Sequence, residues 1–260
     1  KQLVYVGHNQ QQHHEWRGAV NALDNVGAEA VAYLSESFRF GPAVAALANR
    51  VLHLLGSPLR LTGRGGPSIV ATLGALEADA ILTRTNAEAV TQVLSLQREG
   101  RRPHLVGGGS EVVSFAKAAF DLMEGRPTFH PELVCFDSWG EVQAYVEDDP
   151  AGGELKLLVN LVDEFGVDTI VAALDEMPDE ATADVCVSTA HRAKGREWGA
   201  VRLAGDFPYP DGDDGSEGEW RLLYVAATRA RRALDVGACE PLRDLAPLDV
   251  GSRLAEAFPA

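Results

Sequence analysis

The chain has 260 residues, 46% of them hydrophobic and 23% charged, and carries a formal net charge of −15. Such a composition suits one large or two small globular domains; no apolar run is long enough to cross a bilayer, and the charge has the wrong sign for holding nucleic acid by bulk attraction. Any anion-binding role has to be local, and basic residues do gather locally, in HRAKGR (191–196) and RARR (229–232), whereas acidic ones crowd 147–149, 175–184 and 211–219.

In chain order, KQLVYVG opens on an apolar run (3–7) that reads as a buried strand and not as a targeting segment. A chain that starts directly in a core strand is expected to be part of something longer. Then comes GHNQQQHHEWRGA (7–19), with three histidines and three glutamines in thirteen positions. Further strands are expected at AVAYL (30–34), AILT (80–83), HLVG (104–107), DVCVST (184–189), AVRLAG (200–205) and ALDVG (233–237). Helical periodicity marks 42–55, 86–100, 111–125, 138–148, 155–166 and 217–232. Asn86 is the expected N-cap of the second of these, and Gly100, Gly125 and Gly166 stand where helices should stop. GRGG (63–66) and DGDDGSEGE (211–219) read as exposed loops. Strands and helices alternate at both ends of the chain, which predicts an α/β fold on a parallel sheet. Strand signals nearly vanish between 111 and 180, which predicts a helical insertion.

Three cysteines, Cys135, Cys186 and Cys239, are odd in number and far apart. They fit a reducing, cytoplasmic setting and provide neither a disulfide framework nor a CxxC metal site.

Three segments could carry chemistry. STAHRAKGREW (188–198) sits between two strands, so its hydroxyls, His191, Lys194 and Gly195 fall on a turn where side chains and backbone amides can meet phosphate; its plain reading is a solvated basic loop. In EWRLLYVAATRARRAL (219–234), Arg229 lies near a helix end. There it either complements the helix dipole or reaches a phosphate with its planar fork. In LSESFRFGPAVAALANRVL (34–52), Phe38 could be core, while Arg39 at a strand end suits a charged reagent.

Together and in this order the segments resemble the second half of a superfamily 1 DNA helicase of the UvrD/Rep type. SESFRF, STAHRAKGREW and LLYVAATRARRAL are similar to its fourth, fifth and sixth motifs, and ILTRTNAEAV (81–90) to an accessory motif between the fourth and fifth. The likeness is strongest to the F-box DNA helicase branch, through RGAVNAL, SFRFG, RTNA, VGGG (106–109), GDF (205–207) and the EW–LLYVA–TRA helix. It extends over nearly the whole chain and is weakest at 111–180.

The resemblance implies a RecA-like parallel sheet flanked by helices. Residues 1–18 would be the last strand and coupling loop of a first RecA-like domain. Residues 19–110 and 181–260 would form the second, and 111–180 its helical insertion. It implies ATP with Mg2+ bound between the two domains, single-stranded DNA as partner, and 3′ to 5′ polarity. Arg39 and Arg229 would reach the γ-phosphate, the arginine-finger arrangement, and Gln11 would sense it. Phe38 would stack on adenine, Glu197 would contact the ribose, and Gly195 would let backbone approach the phosphates. His14, Trp16 and Arg17 would lie along the DNA strand, with Thr189, His191 and Lys194 on its backbone.

No GxxxxGK[ST] and no acidic pair closing an apolar strand occur in the chain. The expectation is therefore a C-terminal motor portion, inactive alone, whose nucleotide and magnesium are held mainly by a missing half. A helicase-like module that binds nucleic acid or protein without catalysis is the alternative. A histidine metal site at His8, His13 and His14 is disfavoured, because adjacent His13 and His14 diverge by about 100° on a helix and point apart on a strand.

Overall fold

A computed structural model of the chain describes Gly7 and residues 30–148, 153–210 and 216–246. In chain order the elements are β1 (Glu36–Ser37), α1 (Pro42–Leu54), β2 (Thr62–Gly63), β3 (Ile69–Ala71), β4 (Ala80–Thr83), α2 (Asn86–Arg98), β5 (Pro103–Leu105), α3 (Ser110–Met123), α4 (Trp139–Asp148), α5 (Gly153–Phe165), α6 (Val167–Asp175), β6 (Val185–Thr189), β7 (Trp198–Leu203), α7 (Ser216–Ala227), β8 (Ala230–Asp235) and α8 (Glu240–Leu245). The chain divides into two compact units, one of Lys1–Leu82 with Ala190–Ala260 and one of Thr83–Thr189.

In the first unit the strands lie in the order β3-β8-β7-β4, and each pairing is parallel. Parallel neighbours need crossovers, which explains why strands so far apart in sequence meet. Helix α1 begins with Pro42, whose fixed φ suits a first helical turn. It buries Val44, Leu47, Ala48, Val51 and Leu52, an i, i+3, i+4, i+7, i+8 stripe, in a core shared with Leu203, Leu222, Leu223 and Leu234. Its entry is tight, since a Cβ on Gly41 would lie 1.9 Å from the Gly66 carbonyl oxygen. Gly41→Ala is thus expected to destabilise the protein by about 3 kcal/mol through overpacking against backbone, read as a lower urea midpoint. A midpoint equal to wild type would show that the turn can yield.

The far end of the sheet is fastened by one buried acid. The Asp235 carboxylate, at the end of β8, accepts backbone N–H bonds from Gly74 (3.0 Å), Leu76 (3.0 Å) and Gly237 (2.9 Å). It holds the loop after β3 against the turn after β8.

The second unit pairs β5 with β6 in parallel and is otherwise helical. Its α3 buries Val112, Phe115, Ala116, Ala119 and Leu122. Trp139 packs edge-on against Phe115 and donates its indole N–H to Asp163 at 2.8 Å, tying α4 to α5. Residues 83–189 hold 20 Asp and Glu against 7 Lys and Arg, so 7 − 20 = −13 of the chain's −15 resides here. Parallel strands flanked by helices make the chain α/β, as the sequence predicts.

The differences are local. Residues 30–34 form no strand; ladder bonding starts only where Ser35 accepts from the Thr62 N–H and β1 meets β2. Thr85, not Asn86, caps α2, its hydroxyl accepting the Glu88 N–H at 3.2 Å. The helix expected over 217–232 stops at Ala227, and Ala230 already pairs with Trp198 in the β7–β8 ladder. The Thr228 N–H still bonds the Tyr224 carbonyl, but the Arg229 N–H turns to Ala226 while its Nε takes the Val225 carbonyl that a further helical bond would have used. Strands β2 and β3 and helices α6 and α8 come in addition to those expected.

Candidate functional site

Three segments of the first unit converge at the N-terminal ends of β7 and β8. They are the turn ahead of α1, the residues leading into Trp198, and the two residues between α7 and β8. The link between the last two is backbone, for the Trp198 N–H donates to the Arg229 carbonyl at 3.0 Å. Arg39 comes from the first segment, Glu197 from the second and Arg229 from the third.

Arg229 is 1% exposed although it is an arginine. Its Nε donates to the Val225 carbonyl (2.8 Å), Nη1 to the Arg196 carbonyl (3.2 Å) and Nη2 to Thr228 Oγ1 (3.0 Å). Among the described residues this leaves one N–H on each terminal nitrogen without an acceptor. Burial pulls the pKa of Arg229 down to about 10, and the nearby Arg39 cation adds to the shift, while Tyr224 and Glu197 oppose it. The group is therefore still a cation at neutral pH, but a poorly solvated one that gains from meeting an anion. Tyr224, one turn earlier on α7, has its pKa pushed up to about 12, mainly by burial, and stays a neutral phenol.

Arg39 is about one-third exposed. Its Nε donates to Glu197 Oε2 at 2.8 Å, and its Nη1 makes a long 3.5 Å bond to the Thr228 carbonyl. Glu197 also faces Arg231 at 3.8 Å. With both partners this exposed, the Arg39–Glu197 pair contributes no more than about 1 kcal/mol, so exchanging Glu197 for another anion costs little. The site is a cationic cluster in which one arginine is fixed and the other is held by a replaceable carboxylate.

The other expected site residues fall as follows. Phe38 is 76% exposed, so it is not core, and its ring face is open. Gly195 is exposed with φ +87°, a left-handed conformation that side chains resist, in the turn just before Glu197. Lys194 is exposed and His191 half-buried in the turns that follow β6. Thr189 is buried at the end of β6, in the second unit. Gln11, His14, Trp16 and Arg17, with the His8/His13/His14 run, lie outside the described residues. Among the described residues no three His, Cys, Asp or Glu side chains are placed to hold a metal ion, and no helix is long and apolar enough to cross a membrane.

Sequence reasoning missed Thr228 and Tyr224, although both stand in the quoted sixth segment. The available signal was a threonine four residues beyond a helical tyrosine, a spacing at which the hydroxyl bonds back to the i−4 carbonyl.

Residues 184–236, from the lead into β6 through β8, match the UvrD-like helicase C-terminal domain. F-box DNA helicase protein 1 of Schizosaccharomyces pombe is 30% identical over 233 residues, covering 77% of this chain and 26% of that protein. F-box DNA helicase 1 of Gallus gallus is 30% identical over 269 residues, covering 89% of this chain and 26% of that protein. The chain thus spans about a quarter of the length of either relative. Among solved structures, the C-terminal domain of a possible DNA helicase from Lactobacillus plantarum WCFS1 aligns over 82% of this chain and 96% of its own, with 16% identity and a TM-score of 0.40, too distant to bear on fold or function.

Proposed function

From a chain that carries a UvrD-like helicase segment and aligns along most of its length with F-box DNA helicases, we propose the C-terminal motor portion of an ATP-dependent 3′ to 5′ DNA helicase or translocase that acts on single-stranded DNA. The observation that carries this reading is the gathering of Arg39, Glu197 and Arg229 at one edge of the first unit, with N–H groups of a buried guanidinium that have no acceptor among the described residues.

The residues present fit part of a nucleotide. An exposed Phe38 ring offers a stacking face, and the bare backbone at Gly195 permits close approach of phosphate oxygens. ATP with Mg2+ would supply the phosphoryl group whose hydrolysis drives movement, held mainly by a first RecA-like domain bearing Gln11. This chain's own part is electrostatic: Arg229 keeps a pre-oriented cation in low dielectric, and Arg39 brings a second once Glu197 releases it. Glu197 holds Arg39 through the 2.8 Å ion pair and would turn to the ribose when the nucleotide arrives. Thr189, His191 and Lys194, with His14, Trp16 and Arg17, would line the DNA path. No side-chain chemistry beyond charge and orientation is required of these residues.

The decisive measurement is DNA-stimulated ATP hydrolysis by the full-length protein. Arg39→Ala is expected to lower kcat roughly 10³-fold, because an arginine at a transferred phosphoryl group contributes on that order. Folding should survive, since the residue is partly exposed and its pair weak. Hydrolysis at the wild-type rate would leave a helicase-shaped binding module with no coupled ATPase.

A further inference from the structure

Both arginines of the site touch the same residue, and it is neither charged nor exposed. Thr228 lies between α7 and β8 at 1% exposure. Its Oγ1 is 2.9 Å from the Tyr224 carbonyl and 3.1 Å from the Val225 carbonyl, and 3.0 Å from Arg229 Nη2. A hydroxyl has one hydrogen and two lone pairs. Carbonyls can only accept and a guanidinium can only donate, so the roles are forced. The hydrogen goes to the helix backbone and a lone pair faces Arg229. The peptide carbonyl of the same residue accepts from Arg39 Nη1 at 3.5 Å.

We propose that Thr228 is a positioning residue for phosphoryl transfer, its hydroxyl holding the Arg229 guanidinium in the orientation in which, among the described residues, each terminal nitrogen keeps one N–H without an acceptor. This rests on the reading of Arg229 as a phosphate-facing arginine. The Val225 and Arg196 carbonyls hold Nε and Nη1, which retain the side chain in its slot. Thr228 Oγ1 adds the third bond, at Nη2, and is its one acceptor among the described residues. An arginine that is present but turned out of plane delivers its charge to the wrong place, and displacements on the ångström scale are costly in rate.

Valine matches threonine in shape and lacks the acceptor, whereas serine keeps the acceptor and loses only a methyl. In the full-length protein, Thr228→Val is expected to lower kcat for DNA-stimulated ATP hydrolysis roughly 10- to 100-fold with KM for ATP held within about threefold. Thr228→Ser should stay within about threefold of wild type in both. In an Arg229→Ala background, Thr228→Val should cost nothing further, since it acts only through the arginine. A purely structural role would instead lower the thermal midpoint and both kinetic constants together, and would add to Arg229→Ala. That result, equal losses in the Val and Ser variants, or a wild-type kcat in Thr228→Val beside an inactive Arg229→Ala would overturn the proposal. Should Arg229→Ala itself hydrolyse ATP normally, the failure would lie with the phosphate-facing reading, which separates the two ideas.

Discussion

Arg229→Lys in the full-length protein is expected to lower DNA-stimulated ATP hydrolysis by roughly 10³, with single-stranded DNA binding in the absence of nucleotide unchanged. Lysine keeps the charge and much of the apolar stem but replaces a planar fork by a single ammonium. Its three N–H groups therefore cannot engage the Val225 and Arg196 carbonyls and Thr228 Oγ1 and still leave donors for a phosphate. The more drastic Arg229→Ala confounds two effects. Emptying a slot that is 1% exposed leaves the Arg196 carbonyl without its side-chain donor and opens a cavity, at about 3–5 kcal/mol in stability. The lysine variant is the cleaner probe, and single-turnover hydrolysis at saturating ATP is the measurement. A lysine variant as fast as wild type would reduce Arg229 to a cap for α7.

The second large effect concerns stability. Asp235→Ala is expected to cost about 3–5 kcal/mol, because it strips three backbone N–H groups, those of Gly74, Leu76 and Gly237, of a buried charged acceptor at once. Asp235→Asn should recover part of the loss, since its carbonyl oxygen can keep the Gly74 and Gly237 N–H groups that share Oδ1, while its amide nitrogen can only donate towards the Leu76 N–H, which also donates. Chemical denaturation monitored by tryptophan fluorescence reads both variants. A loss under about 1 kcal/mol for alanine would mean that the loop after β3 rehydrates freely and that the bonds contribute little net free energy.

How far the sequence announced this structure depended on whether the deciding interaction was local. Helix α1, with its proline start and apolar stripe, and strand β4, a run of four buried residues, carry their own signals and were legible. Strands β2 and β3 have two and three residues and exist only through partners far along the chain, such as Ala233 for Ile69, so no window of sequence contains their cause. Residues 30–34 show the converse: an apolar run with strand character that finds no ladder partner there. At the site, Arg39 and Arg229 could be singled out from motif order. That Glu197 sits on Arg39 could not, because 158 residues separate them and only the crossover through the sheet brings them to 2.8 Å. The end of α7 was misjudged for a related reason. Its apolar periodicity runs on past Ala227, and the change comes at Arg229, whose Nε takes the Val225 carbonyl while its own N–H turns to Ala226.

Two of the three acceptors that hold Arg229 are main-chain carbonyls, those of Val225 and Arg196. A carbonyl survives any substitution of the side chain it belongs to, provided the backbone path is kept. Position 196 can therefore drift in identity without loosening the arginine, whereas position 225 is bounded by the complete burial of the Val225 side chain, and at Thr228 the acceptor is encoded by the residue type itself. Mutational sensitivity around this buried cation should accordingly be uneven, with broad licence at 196, only well-packing apolar residues at 225 and almost none at 228.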